Sequence, residues 1–118
     1  MVTHTLPLFM ITIREYLDSG GHSPFAKWFE RLNAQAAAKV ATGLIRIEQG
    51  NFSNTKGVGA GLYEFRIDFG PGYRIYLGKD GDTVAILLGG GTKKRQSQDI
   101  LAARGCWNDY KQRKSKEI

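Results

Sequence analysis

The sequence predicts a single α/β domain of the α+β kind, in the order strand, helix, helix, three strands, helix, with a mainly antiparallel sheet. Two observations carry this. Over residues 61–89, apolar residues recur with the period of a strand in consecutive runs. Over residues 23–49, they recur at helical spacing behind two good N-cap residues. At 118 residues the chain, taken as one domain over residues 1–118, has room for a single hydrophobic core.

The first strand is expected over Phe9 to Ile13, ended by the loop Asp18-Ser19-Gly20-Gly21. Ser23 then caps a helix that has Pro24 at its first position, and Phe25, Trp28, Phe29 and Leu32 form its apolar face. Asn33 caps a second helix running to about Gln49, with Ala37, Val40, Ala41, Leu44 and Ile47 as its buried stripe and Gly50 at its C′ position. Residues 51–60 are polar and glycine-rich and read as a mobile loop, with Lys56 a solvated loop lysine.

In the next run Tyr63, Phe65, Ile67 and Phe69 alternate with Leu62, Glu64, Arg66 and Asp68. In the one after it Tyr73, Ile75 and Leu77 alternate with Arg74, Tyr76 and Gly78. Thr83 to Gly89 is apolar almost throughout and reads as a central strand covered on both sides. Asp80-Gly81 is the signal of a two-residue hairpin turn. Phe65, Ile67, Ile75 and Ile86 are expected to face the helix containing Phe25 to Leu32. Gly89-Gly90-Gly91 leads to Thr92 as N-cap of a last helix, whose inner face is Ile100, Ala103 and Trp107. The charged tail from Lys111 onward is expected to fray.

The turn at Phe69-Gly70-Pro71-Gly72 decides which residues meet across the hairpin. An even loop would set Ile67 opposite Arg74, an apolar residue against a charge. An odd loop of three or five residues restores the match, and places Arg66 opposite Arg74 or one diagonal step away. An odd loop with a bulge-type glycine is therefore expected. Two arginines so close repel each other, which makes sense where an anion sits between them; the alternative is two solvated arginines on an exposed face.

The formal charge is +6 and the sequence pI about 9.6, which favours a polyanion or an acidic protein as partner. The lone Cys106 excludes an internal disulfide and a cysteine-cluster metal site, and neither metal nor cofactor is expected. His4 and His22 lie outside the motifs. Leu6 to Ile13 is too short and too interrupted for a membrane span, so a cytoplasmic location is expected. Lys93, Lys94 and Arg95 fall in the first turn of the last helix, where the macrodipole disfavours cations and the free N–H groups attract phosphate. A role in binding RNA accounts for that placement. Tyr76, on the face of Arg74, reads as a base-stacking residue or an exposed sheet tyrosine.

The run Tyr63-Glu64-Phe65-Arg66-Ile67, followed by Gly72-Tyr73-Arg74 and by Gly90-Gly91-Thr92-Lys93 with Gln96 and Asp99-Ile100, resembles the RelE/ParE superfamily of bacterial type II toxins. Within it, the match is to the HigB-like, phage-related addiction module killer group, over nearly the whole chain. The resemblance implies a RelE-like fold whose helices cover one sheet face and leave the other open as a cleft. It also implies the toxin of a toxin-antitoxin module, a metal-independent endoribonuclease acting on mRNA, often on the ribosome. The cognate antitoxin would be a helix-turn-helix protein encoded beside it, laying an acidic or hydrophobic segment over the Arg66 and Arg74 face or around the helices. By position it implies Arg74 as a phosphate clamp, Arg66 as the basic residue kept on the nuclease strand, and Lys93 as the start of the basic segment. Lys94, Arg95, Tyr73, Tyr76 and Gln96 would contact the nucleic acid.

RNA cleavage requires a deprotonated 2′-hydroxyl, a stabilised phosphorane and a protonated 5′-oxygen. Arginines serve the second need and are poor bases. Glu64, Lys93 and Tyr73 are the candidates for the base. Glu64 is favoured, since a carboxylate needs the smallest pKa shift, and its other reading is a partner that orients Arg66. The same superfamily contains ParE-like gyrase inhibitors. A gyrase-binding toxin without nuclease chemistry, or a degenerate toxin that only binds its antitoxin, are the alternatives.

Overall fold

A five-stranded sheet in the order β1-β5-β4-β3-β2 forms the centre of the molecule, in a computed structural model that describes residues 10–117. The elements are β1 (Thr12–Glu15), α1 (Pro24–Glu30), α2 (Ala34–Glu48), β2 (Thr55–Gly59), β3 (Leu62–Ile67), β4 (Tyr73–Asp80), β5 (Val84–Thr92), a 3₁₀ turn (Lys93–Arg95) and α3 (Gln96–Ser115). β1 runs parallel to β5, and every other pairing is antiparallel. The mainly antiparallel α+β class is as expected. Phe9 and His4 lie outside the described residues, and β1 extends past Ile13 to Glu15.

Both caps form as their residues require. The Ser23 hydroxyl accepts from the Ala26 N–H at 3.0 Å, and the Asn33 side chain accepts from the Ala36 N–H at 2.9 Å. Ser23→Ala is expected to lower stability by about 1 kcal/mol. A melt unchanged from the parent would show that this cap contributes nothing. The α2 stripe is Ala36, Val40, Gly43 and Ile47, rotated from the expected one, with Ala41 exposed. Gly43 accounts for the rotation: a Cβ there would lie 3.1 Å from the Phe65 ring and 3.2 Å from Ile67, so the helix backbone itself approaches the sheet.

Several expectations are corrected. Residues 51–60 are not simply a loop, since Thr55–Gly59 pairs with β3 as an edge strand. Its glycines and a register shift between Gly57 and Gly59 interrupt the alternation that would have marked it. Gly81 is in the left-handed region, but Asp80 pairs with Val84, so the hairpin loop is 81–83 rather than two residues. β5 continues through Gly89-Gly90-Gly91 to Thr92, whose side chain makes no capping bond. The basic residues form a 3₁₀ turn ahead of α3, and α3 continues to Ser115 through the stretch expected to fray.

The largest correction concerns the sheet faces. α1 and α2 cover one face around Phe25, Val40, Ile47, Phe65, Ile75 and Leu87, with Ile67, Trp28 and Leu32 packed against them. α3 covers the other, where Ala103 and Trp107 pack with Tyr16, Leu62, Tyr76, Ile86 and Leu88. Helices therefore lie on both faces, and among the described residues α3 covers much of the one expected to be an open cleft. Ile86 belongs to the α3 side. In β5 the bulge opposite Tyr76 and Leu77 switches which alternate residues face which layer, and an all-apolar strand carries no pattern that reveals it. Among the described residues no helix is long and apolar enough to cross a membrane.

Candidate phosphate-binding site

The β3–β4 loop is odd, as the face-matching argument requires: Ile67 pairs with Tyr73, and Arg66 stands directly opposite Arg74. Gly70 and Gly72 in this loop, with φ of 55° and 79°, take left-handed conformations that glycine adopts without strain. The two arginines thus share the α3 face of the sheet. Their environments differ sharply. Arg66 is exposed, whereas Arg74 is only 8% exposed and Glu64 only 1%.

Glu64 is held by two donors. The Arg74 Nε donates to its Oε1 at 3.0 Å, and the Gln96 side-chain amide donates to its Oε2 at 2.8 Å. The carboxylate orients Arg74, not Arg66, and at 1% exposure it is buried beneath its two donors. In this arrangement it supports the arginine. The terminal nitrogens of Arg74 donate to no acceptor among the described residues. Gly72 lies beside that free edge. A Cβ on it would sit 4.0 Å from Arg74 Nη1 and 3.5 Å from Lys93 Cβ, and the Lys93 N–H donates to the Gly72 carbonyl at 2.9 Å.

Burial of this cluster follows from glycines on the facing strands. A Cβ on Gly78 would fall 2.4 Å from the Trp107 ring, and one on Gly91 would fall 1.9 Å from Asp99 Oδ2. Without side chains at those positions, α3 descends onto β4 and β5. Its amino-terminal turn then closes over Glu64, Arg74 and Tyr76. At the other end Tyr16 donates to Asp109 at 2.6 Å, Arg113 bonds Asp109 at 2.6 Å, and Tyr110 donates to Asp80 at 2.5 Å, which ties the helix down along its length. Burial and these carboxylate partners push the Tyr16 and Tyr110 phenols up to about 12.

Three expected nucleic-acid contacts are corrected. Tyr76 is fully buried beneath α3, so it presents no ring for a base. Burial, then the nearby Glu64 carboxylate, raises its phenol well above the ordinary value. Tyr73 alternates to the opposite face, where its ring lies 6.4 Å from that of Trp28. Gln96 spends its amide on Glu64. Arg66, Lys93, Lys94 and Arg95 remain exposed, and none has a carboxylate partner among the described residues.

A residue missed in the sequence joins them. Lys56 pairs in register with Glu64, which places it on the α3 face at the outer edge of the sheet, exposed and without an ion-pair partner among the described residues. The one available signal was the short alternation of Thr55 to Val58. Among the described residues no group of three or more His, Cys, Asp or Glu side chains is placed to hold a metal ion.

The chain is 42% identical to an uncharacterized protein of Haemophilus influenzae over 81 residues, 68% of this chain and 82% of that protein. No family model matches the chain.

Proposed function

We propose that this chain, which belongs to one family with the Haemophilus influenzae protein, is a RelE/ParE-type toxin of the HigB-like group that cleaves RNA. The observation that carries this reading is the state of Arg74. A guanidinium fixed through Nε by a buried carboxylate, with its terminal nitrogens unclaimed and a second arginine directly across the strand, is built for an anion of fork-compatible shape. A structural ion pair would not require the uncompensated neighbour Arg66. Phosphate fits the charge, the planar fork and the surrounding lysines.

In this reading Arg74 and Arg66 hold the non-bridging oxygens of the scissile phosphate and stabilise the phosphorane. Glu64 and Gln96 orient Arg74 without touching RNA. Of the three residues considered for the base, Glu64 is buried and engaged by Arg74 and Gln96 and Tyr73 faces away, which favours the exposed Lys93 beside Gly72 to move the proton. Lys56, Lys94 and Arg95 bind flanking phosphates. The partner in the cell is an antitoxin whose acidic segment neutralises this face, and its affinity should weaken as salt rises.

Arg66→Ala tests the reading cleanly because Arg66 is exposed, and such substitutions usually change stability by no more than about 0.5 kcal/mol. We expect an unchanged melt and a loss of cleavage of roughly 10²-fold, read from new 5′ ends in cellular mRNA when the variant is expressed without antitoxin. Undiminished cleavage by Arg66→Ala would sink the assignment. A parent that alters DNA supercoiling and makes no new mRNA ends would replace it with the gyrase-type reading.

A further inference from the structure

We propose that a cleft on the far side of β2 from the phosphate site holds one unstacked base of the same RNA strand; this role rests on the nuclease reading above. The cleft, about 170 Å³, is lined by Phe52, Thr55, Gly57, Tyr63 and Lys79. Its place follows from strand alternation. Thr55 pairs with Phe65 and Gly57 with Tyr63, so these positions face the α1 and α2 layer, whereas Lys56 between them faces the α3 side with Glu64. β2 is the outermost strand, and only its width separates Lys56 from the cleft.

Three features suit the cleft to a base. Phe52 and Tyr63 are half-buried rings, and the Tyr63 ring is left uncovered by the absent side chain of Gly57, where a Cβ would lie 3.7 Å away. The Lys79 ammonium stands 5.2 Å from the Phe52 centroid and 5.9 Å from that of Tyr63, exposed and without a carboxylate partner among the described residues. The Thr55 hydroxyl is buried with no hydrogen-bond partner among the described residues, a state that costs free energy until a partner arrives. A base answers all three: its flat face stacks on the ring, its carbonyl or ring-nitrogen acceptors meet the ammonium, and its edge meets the hydroxyl. An apolar side chain from a protein would cover the rings and leave both polar groups unanswered.

The arrangement also sets the state of the RNA. With phosphates on the α3 side and a base on the other, the strand must turn over the open edge of β2, where Gly57 and Gly59 put no side chain in its way. A base still paired in a duplex cannot make that turn, so the RNA is single-stranded there.

Gly57→Val tests the cleft without touching the phosphate site. Gly57 is not among the left-handed glycines, so valine fits the strand and covers the Tyr63 ring. Lys79→Gln removes the cation at an exposed position and keeps the fold even if the valine variant does not. A short RNA, 2′-O-methylated throughout so that it binds uncut, should bind the parent about tenfold more tightly than either variant. Replacing its bases one at a time with abasic units should reveal one position whose loss weakens the parent by that factor and leaves the variants unchanged. Equal affinities, or an abasic series that affects parent and variants alike, would overturn the base site while new mRNA ends from the parent keep the nuclease reading. A parent with the abasic-sensitive position that makes no new mRNA ends would overturn the nuclease reading and keep the site. A parent that does not bind the RNA would overturn both.

Discussion

Replacing Arg74 with alanine is expected to remove RNA cleavage and a large share of the stability at once, whereas lysine should remove the cleavage while retaining the fold. The alanine variant strands Glu64, 1% exposed, with Gln96 as its remaining partner. Breaking a buried pair in this way typically costs about 3–5 kcal/mol, because an uncompensated charge stays inside. That is a large share of the roughly 5–15 kcal/mol available to a domain. Lysine keeps a positive charge for Glu64. One ammonium cannot bond the carboxylate on one side and offer a planar fork on the other, so cleavage should fall by roughly 10²-fold or more. The measurement pairs chemical denaturation with mapping of mRNA 5′ ends. A stable Arg74→Ala protein would contradict the buried pair, and an active Arg74→Lys protein would contradict the phosphate fork.

The second large effect is expected at Gly90. A methyl group there would lie 2.2 Å from the Trp28 ring. The strand cannot retreat, because on its other side Gly91 already touches Asp99 and a Cβ there would be 1.9 Å from that carboxylate. Gly90→Ala should therefore reach or exceed the roughly 1–3 kcal/mol usual for overpacking. The matched control is Gly105→Ala in α3, which meets nothing within 4 Å. It should stabilise by about 1 kcal/mol, through helix propensity alone. Equal melting temperatures for the two variants would show that the helical layers do not close on β5 as tightly as the geometry requires.

These two positions also mark the limit of what was legible. Period 2 and turn chemistry placed β3 and β4 to within two residues, and the argument from matched faces set Arg66 opposite Arg74 or one step away, because both are decided by residues close together along the chain. Ser23 and Asn33 likewise announced their helices through a local hydrogen bond each. β2 escaped because two glycines and a register shift broke its alternation, and Lys56 escaped with it. The glycine run 89–91 read as a lead-in to a helix. It is instead a strand whose missing side chains receive Trp28 on one side and Asp99 on the other.

By itself, then, the sequence determined the class of the fold, the pairing of the central hairpin and the cationic character of one sheet face. Only the tertiary structure decided that α3 lies on that face, and with it the fates of Glu64, Arg74 and Tyr76. An alternating strand shows the same polar pattern whether its charged side meets water or a paired buried network. The difference lay in a contact between Gln96 and Glu64, 32 positions apart, made possible by glycines whose vacancy has meaning only when another element fills it.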